Sequence, residues 1–121
     1  MVDLKATVYN ILETALGETP VHYFYPATFN ELPCVSWYEI ENQRHSQADG
    51  VEYLSSVAFQ IDIWSRSAMT NGETALTIDE AMTSAGFRRG FAHDLYEIET
   101  GIHHKTMRYQ ALSTQDQTLY Q

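Results

Sequence analysis

The sequence predicts an α+β fold, a single domain in which two helices pack on one face of a mostly antiparallel sheet. Three observations carry this. Two segments, one near the N-terminus and one in the second half, repeat apolar residues at helical spacing. Between and after them run stretches of β-branched and aromatic residues that alternate with polar ones. The chain has 121 residues, 44% hydrophobic and 12% aromatic, which suits one domain with one real core.

The predicted order is helix, strand, strand, strand, helix, strand, strand. Leu4, Val8, Ile11, Leu12 and Ala15 form the apolar stripe of the first helix. Gly17 stands where a C-cap is wanted, and Pro20 bars continuation. Residues 21–25, between Pro20 and Pro26, read as a short edge strand, and residues 26–33 as a loop anchored by Phe29 and Leu32. Residues 34–41 read as a strand. The polar stretch 42–50 reads as a long hairpin tip closed by Asp49-Gly50.

In the returning strand Val51, Tyr53, Val57, Phe59, Ile61 and Ile63 share one parity, while Glu52, Ser56, Gln60 and Asp62 hold the other. One face is then buried and one wet. The run exceeds a typical strand of ~5–6 residues, so the hairpin is expected to project from the body as an arm. Thr70 and Glu73 stand in capping-box register at the start of the second helix. Ala75, Ile78, Met82 and Ala85 form its core stripe, and Gly86 is its C-cap. The last two strands are predicted at 87–93 and 102–112, with Gly101 in the turn between them, and 113–121 as a flexible polar tail.

Sixteen acidic against seven basic residues give a net charge of −9, and only Arg88 and Arg89 are adjacent bases. Tight duplex binding, which needs clustered Lys and Arg against phosphates, is not expected. Such a surface instead lets DNA slide past without sticking. Cys34 is the single cysteine, so no intramolecular disulfide forms, and its apolar setting reads as that of a small buried hydrophobe. No apolar run approaches the ~20 residues that span a bilayer. The first 17 residues carry Asp3 and Glu13 and read as a mature helix rather than a targeting segment.

Catalytic chemistry finds little footing. His103 and His104 are neighbours on a predicted strand and face opposite sides. His93, Asp94 and Glu97 are potential mixed ligands, but no spacing matches a zinc signature. Cys34 lacks an adjacent base, and the pairs Asp79-Glu80 and Glu97 with Glu99 read as solvated surface. There is no phosphate-binding glycine cluster and no nucleophile elbow. The expectation is a protein that is not an enzyme and carries no cofactor. A small metal- or ligand-binding domain using His93, His103 or His104 is the alternative from another class.

Assembly is the stronger theme. Trp37, Tyr38, Tyr53, Trp64, Phe87, Phe91, Tyr96 and Tyr109 are more aromatics than one thin core layer holds, and interfaces are enriched in them. Two helices cover only one face of a sheet, so the other is expected to meet a partner.

Several segments, taken in order, carry a family resemblance. They are Leu32-Pro33-Cys34-Val35-Ser36-Trp37, Asp62-Ile63-Trp64-Ser65, the helix end through Gly86-Phe87-Arg88-Arg89, Asp94-Leu95-Tyr96-Glu97, Thr100-Gly101-Ile102-His103-His104-Lys105 and Met107-Arg108-Tyr109. With the short N-terminal helix and the Tyr/Pro-rich segment after it, the chain resembles the tail-completion or tail-terminator proteins of long-tailed bacteriophages and prophages.

The resemblance implies a structural subunit of the virion tail, assembled in the bacterial host cytoplasm. It implies a homo-oligomeric ring, a hexamer, at the head-proximal end of the tail tube. That ring ends tube polymerisation and joins tail to head, with the tail tube protein and the head connector or stopper as partners. DNA passes through the lumen without specific binding, no membrane is involved, and there are no catalytic residues to carry over. A head-completion (stopper) protein of the same virion is the nearest alternative. The residues expected at subunit or tube contacts are Arg44, His45, Gln47 and Asp49 on the hairpin tip, with Arg66, Arg88 and Arg89.

Overall fold

The computed structural model describes residues 1–121. Its elements are α1 (Lys5–Leu16), β1 (Val21–Tyr23), β2 (Cys34–Ala48), β3 (Val51–Ser65), α2 (Ala68–Ala85), β4 (Arg88–Glu97), β5 (Ile102–Thr114) and β6 (Leu119–Tyr120). This is the expected α+β order with one short strand added. The sheet runs β1-β2-β3-β5-β4, and β6 pairs with β5. All pairings are antiparallel except β1 with β2, which is parallel.

Both helices lie on one face, as the stripes require. Val8 and Leu12 of α1 and Ala75, Ile78 and Met82 of α2 are buried against Val35, Trp37, Val57, Phe59, Ile61, Met107 and Tyr109 of the sheet. The parity set of β3 is buried from Val57 to Ile63, but Val51 and Tyr53 are exposed because they lie out on the arm. Tyr109 is fully buried and its hydroxyl donates to Asp79 Oδ1 of α2 at 2.8 Å. Burial, and then Asp79, push that phenol's pKa well above the ordinary tyrosine range.

Four expectations are corrected. First, the polar stretch after Glu41 is strand, not loop: β2 runs on to Ala48, with irregularities around Ile40 and His45, and the true tip is the pair Asp49-Gly50. Both tip residues have positive φ, 51° and 78°, the geometry of a two-residue hairpin turn. Polar side chains are tolerated because the arm has no core to fill.

Second, α2 starts earlier than the Thr70/Glu73 register suggested. Ser67 is the N-cap and accepts from the Thr70 backbone N–H. Asn71 is buried inside the first turn and ties the helix to β5, donating to His103 O at 3.0 Å.

Third, residues 113–121 fold back. β5 extends to Thr114, β6 pairs with Leu112 and Ser113, Leu119 packs on the core, and Gln121 donates to Phe87 O. Fourth, the face turned away from the helices, expected to have no cover from this chain, has one at one end. Phe29 and Leu32 of the loop cover one end of it, over Cys34, Trp64 and Ile102. The middle is polar and carries Gln60, Asp62, Thr106, Arg108 and Gln110.

Candidate functional site at the sheet edges

The expected contact residues do not form one site. Arg44, His45, Gln47 and Asp49 sit together on the arm, near the end where β3 outruns β5: pairing with β5 stops at Leu54, so Val51 to Tyr53 have β2 alone beside them. The arm is braced at its root. Arg44 reaches Gln47 at 2.6 Å and Glu52 at 3.4 Å, and Glu52 also receives the N-terminal ammonium at 3.3 Å and the Ser55 hydroxyl. The Ser55 hydrogen bond first, with the ammonium after it, holds the Glu52 carboxyl below the usual range. The side chain of His45 hydrogen-bonds Ser46 Oγ at 2.9 Å.

Arg66 lies at the opposite end of β3, where its Nη1 donates to Thr100 O at 2.9 Å and packs the turn before Gly101. Arg88 and Arg89 open β4. Arg89 points to the helix face and pairs with Asp79 at 3.3 Å. Arg88 points to the other face, is exposed, and enters none of the ion pairs.

Sequence reasoning missed that the sheet ends in two open edges of different make. On one side β4 is an outermost strand of ten residues, all exposed, with Phe91, Leu95 and Tyr96 among them. It holds no proline, so alternate residues turn an unpaired backbone N–H and C=O to whatever approaches. Arg108 lies over the Phe91 ring at 5.7 Å.

On the other side β1 covers β2 only from Val35 to Trp37. Phe24 then takes a φ of 74° and leads the chain off the sheet, which leaves the outer edge of β2 open from Tyr38 onward. A bulky residue in that region is a genuine backbone outlier. Around this second edge lies an aromatic patch. Phe24 stacks on Tyr38 at 4.6 Å, and Tyr23 meets Trp37 at 4.9 Å with Tyr9 beside it. Tyr9, Tyr23 and Phe24 are exposed. The signal was present as the Tyr-Phe-Tyr run between prolines, but residue type alone does not say which rings face out.

The polar face offers one compact arrangement. His104 Nε2 lies 2.8 Å from Asp62 Oδ1, and the imidazole stacks on Trp64 at 3.7 Å. Trp64 Nε1 donates to Ser36 Oγ at 3.0 Å, and Gln60 donates to Asp62. The Ser36 hydroxyl thus accepts from the indole, and no hydrogen bond links the Asp-His pair to a Ser, Thr or Cys nucleophile. His93 and His103 do not join it. His93 pairs with Thr106 across β4 and β5, and His103 lies under Tyr96 at 4.6 Å. No three His, Cys, Asp or Glu side chains converge. Burial, with Glu31 secondary, pushes the Cys34 thiol up to about 11, which suppresses its thiolate.

Compared with known families, residues 11–114 match the family described as Tail completion protein gp17. No curated protein matches the chain.

Proposed function

Since the chain belongs to the phage tail completion protein family, we propose that it is the tail terminator, a ring subunit at the head-proximal end of the tail tube. The family is one of structural tail proteins rather than enzymes. In this reading the ring, a hexamer, caps the growing tube, ends its polymerisation and presents the surface that the head connector or stopper engages. Assembly takes place in the host cytoplasm, and DNA crosses the lumen without specific binding.

The observation that carries the reading is the pair of unlike sheet edges on opposite sides of one small subunit. A contact between unlike surfaces is heterologous, and heterologous contacts close into rings when the rotation permits. The arm, with Arg44, His45, Gln47 and Asp49, is assigned to the tube or to the neighbouring subunit, and Arg66, Arg88 and Arg89 to subunit contacts. A net charge of −9 per copy keeps DNA moving.

Tails made without the protein test the role. Overlong tails support the terminator reading. Tails of normal length that lack heads overturn it in favour of a stopper. A second experiment shortens the arm by moving the Asp49-Gly50 turn to join Ser46 to Leu54, which face each other across the hairpin. The expected product is a folded subunit that no longer completes tails, and full completion by the shortened protein removes the arm from the contact.

A further inference from the structure

β4 is an edge strand along its whole length. Nine of its residues stand level with consecutive residues of β5, from Arg88 opposite Gln110 to Glu97 opposite Ile102. Gly90 is set aside by the bulge between Arg89 and Phe91. His93, opposite Thr106, is the fifth of the nine. Counting outward from His93 both ways, Ala92 matches Asp94, Phe91 matches Leu95, Arg89 matches Tyr96 and Arg88 matches Glu97. Each match stays within one face of the sheet, because both members lie the same number of places from His93. β6 does not cover this edge, since it meets β5 at Leu112 and Ser113, past the Gln110 where β4 begins.

We infer that two free copies of this chain pair through β4, edge to edge and antiparallel, about a two-fold axis at His93. Two identical strands that pair antiparallel have their two-fold normal to the sheet. The operation leaves the same face of both copies on the same side, so residues meet only within a face. Arg88 then faces Glu97 of the second copy, Arg89 faces Tyr96 and Phe91 faces Leu95, each contact occurring twice. His93 faces its own counterpart. The outward backbone groups of β4 gain partners, and two sheets become one. The pair forms in solution, ahead of any tail, and does not depend on the terminator reading.

Charge complementarity selects a second copy as the occupant. The arginines of β4 lie at its start, and Asp94 and Glu97 lie toward its end. Antiparallel pairing brings start to end, so β4 is its own electrostatic complement. Arg88 and Glu97 are exposed and enter no ion pair within the chain. Phe91 and Leu95 are exposed too, and facing each other they cover apolar surface that a single copy leaves wet. The same residues fix the register. Moving the centre one place to Asp94 sets two carboxylates face to face and leaves Arg88 and Arg89 beyond the partner strand. Moving it to Ala92 leaves Tyr96 and Glu97 with nothing opposite. An exposed edge without proline is a feature natural sheets avoid unless something pairs with it. The contact is one strand wide in each copy, so dilution separates the pair and reopens β4.

Sedimentation equilibrium of the full chain, with no tail component present, tests this. The natural protein is expected to pass from one copy to two as concentration rises. Arg88→Glu and Glu97→Arg each set like charges face to face at both ends of the pair, and each is expected to weaken self-association at least tenfold. An equimolar mixture of the two variants restores opposite charges at both ends and is expected to form a mixed pair of natural strength. Both changes in one chain are expected to do the same. His93→Cys brings two thiols together at the axis, and mild oxidation is expected to link the copies there. Leu95→Cys meets Phe91 instead of itself and is expected not to link. Cys34 is buried and takes no part.

A natural protein that stays a single copy at every concentration overturns the inference. So do reversals without effect, losses that neither the mixture nor the double variant repairs, and equal linkage through residues 93 and 95. Circular dichroism of each variant separates loss of contact from loss of fold, and where a reversal unfolds the chain the two cysteine variants decide. Failure here and failure of the terminator reading are distinct. Overlong tails with only single copies in solution remove the pair alone. Normal tails without heads, from a protein that pairs as described, remove the terminator alone.

Discussion

Asp62 is 4% exposed on the polar face, and His104 and Gln60 both hydrogen-bond its carboxyl oxygens there. A buried acceptor without a partner is costly, more so when charged. His104→Ala is therefore expected to lower unfolding free energy by about 2 kcal/mol, read from urea denaturation, with His104→Gln losing less. Cys34 gives a simpler readout. Its thiol is pushed up to about 11 by burial, so at pH 8 it stays protonated as well as shielded. Iodoacetamide at pH 8 is expected to leave the native protein unmodified and to alkylate it fully in urea. Rapid modification of the native chain would show that the Phe29 and Leu32 cover over Cys34 is open in solution.

Glycine matters at one junction of elements. Gly86 ends α2 with a φ of 110°, and a Cβ there would lie 2.9 Å from Leu119 Cβ of β6. Gly86→Ala then meets both a backbone penalty and a clash that unseats β6, and is expected to cost at least ~1 kcal/mol. Faster hydrogen exchange at β6 in the variant would show where the cost falls. The arm depends on Glu52 in a comparable way. Because its folded pKa is lowered, its contribution is complete above the ordinary carboxylate range and is lost as pH falls through the lowered value. Glu52→Gln should destabilise the arm at pH 7 and become indistinguishable from the natural protein in strong acid, measured by hydrogen exchange of residues 44–53.

For the whole molecule, the sheet is strongest at its centre and unprotected at its rims. β3 and β5 are paired on both sides, whereas β4 has β5 alone and β2 lacks an outer neighbour beyond Trp37. In the free subunit, amides that point outward from β4 exchange quickly, because no strand lies on that side to accept from them. On assembly at the tail end these amides and those of the outer side of β2 are expected to slow at least tenfold, while β3 and β5 change little. Protection confined to the arm would point to a contact made by the hairpin tip alone.

The order of the first seven elements, the helix stripes, the Asp49-Gly50 turn signal and the inward set of β3 from Val57 to Ile63 are legible in the chain, because each depends on spacing and turn chemistry within a few residues. The loop anchors Phe29 and Leu32 are legible for the same reason. Register and surroundings are not local. Only the folded sheet reveals that the polar stretch of β2 is strand, that residues 119–120 return to β5, and that the aromatic set divides into buried Trp37, Trp64, Phe87 and Tyr109, half-buried Tyr38, and exposed Tyr53, Phe91 and Tyr96. Glu41 and Arg88 share a row only because three strand pairings, each set by the burial of other side chains, bring them level across the sheet.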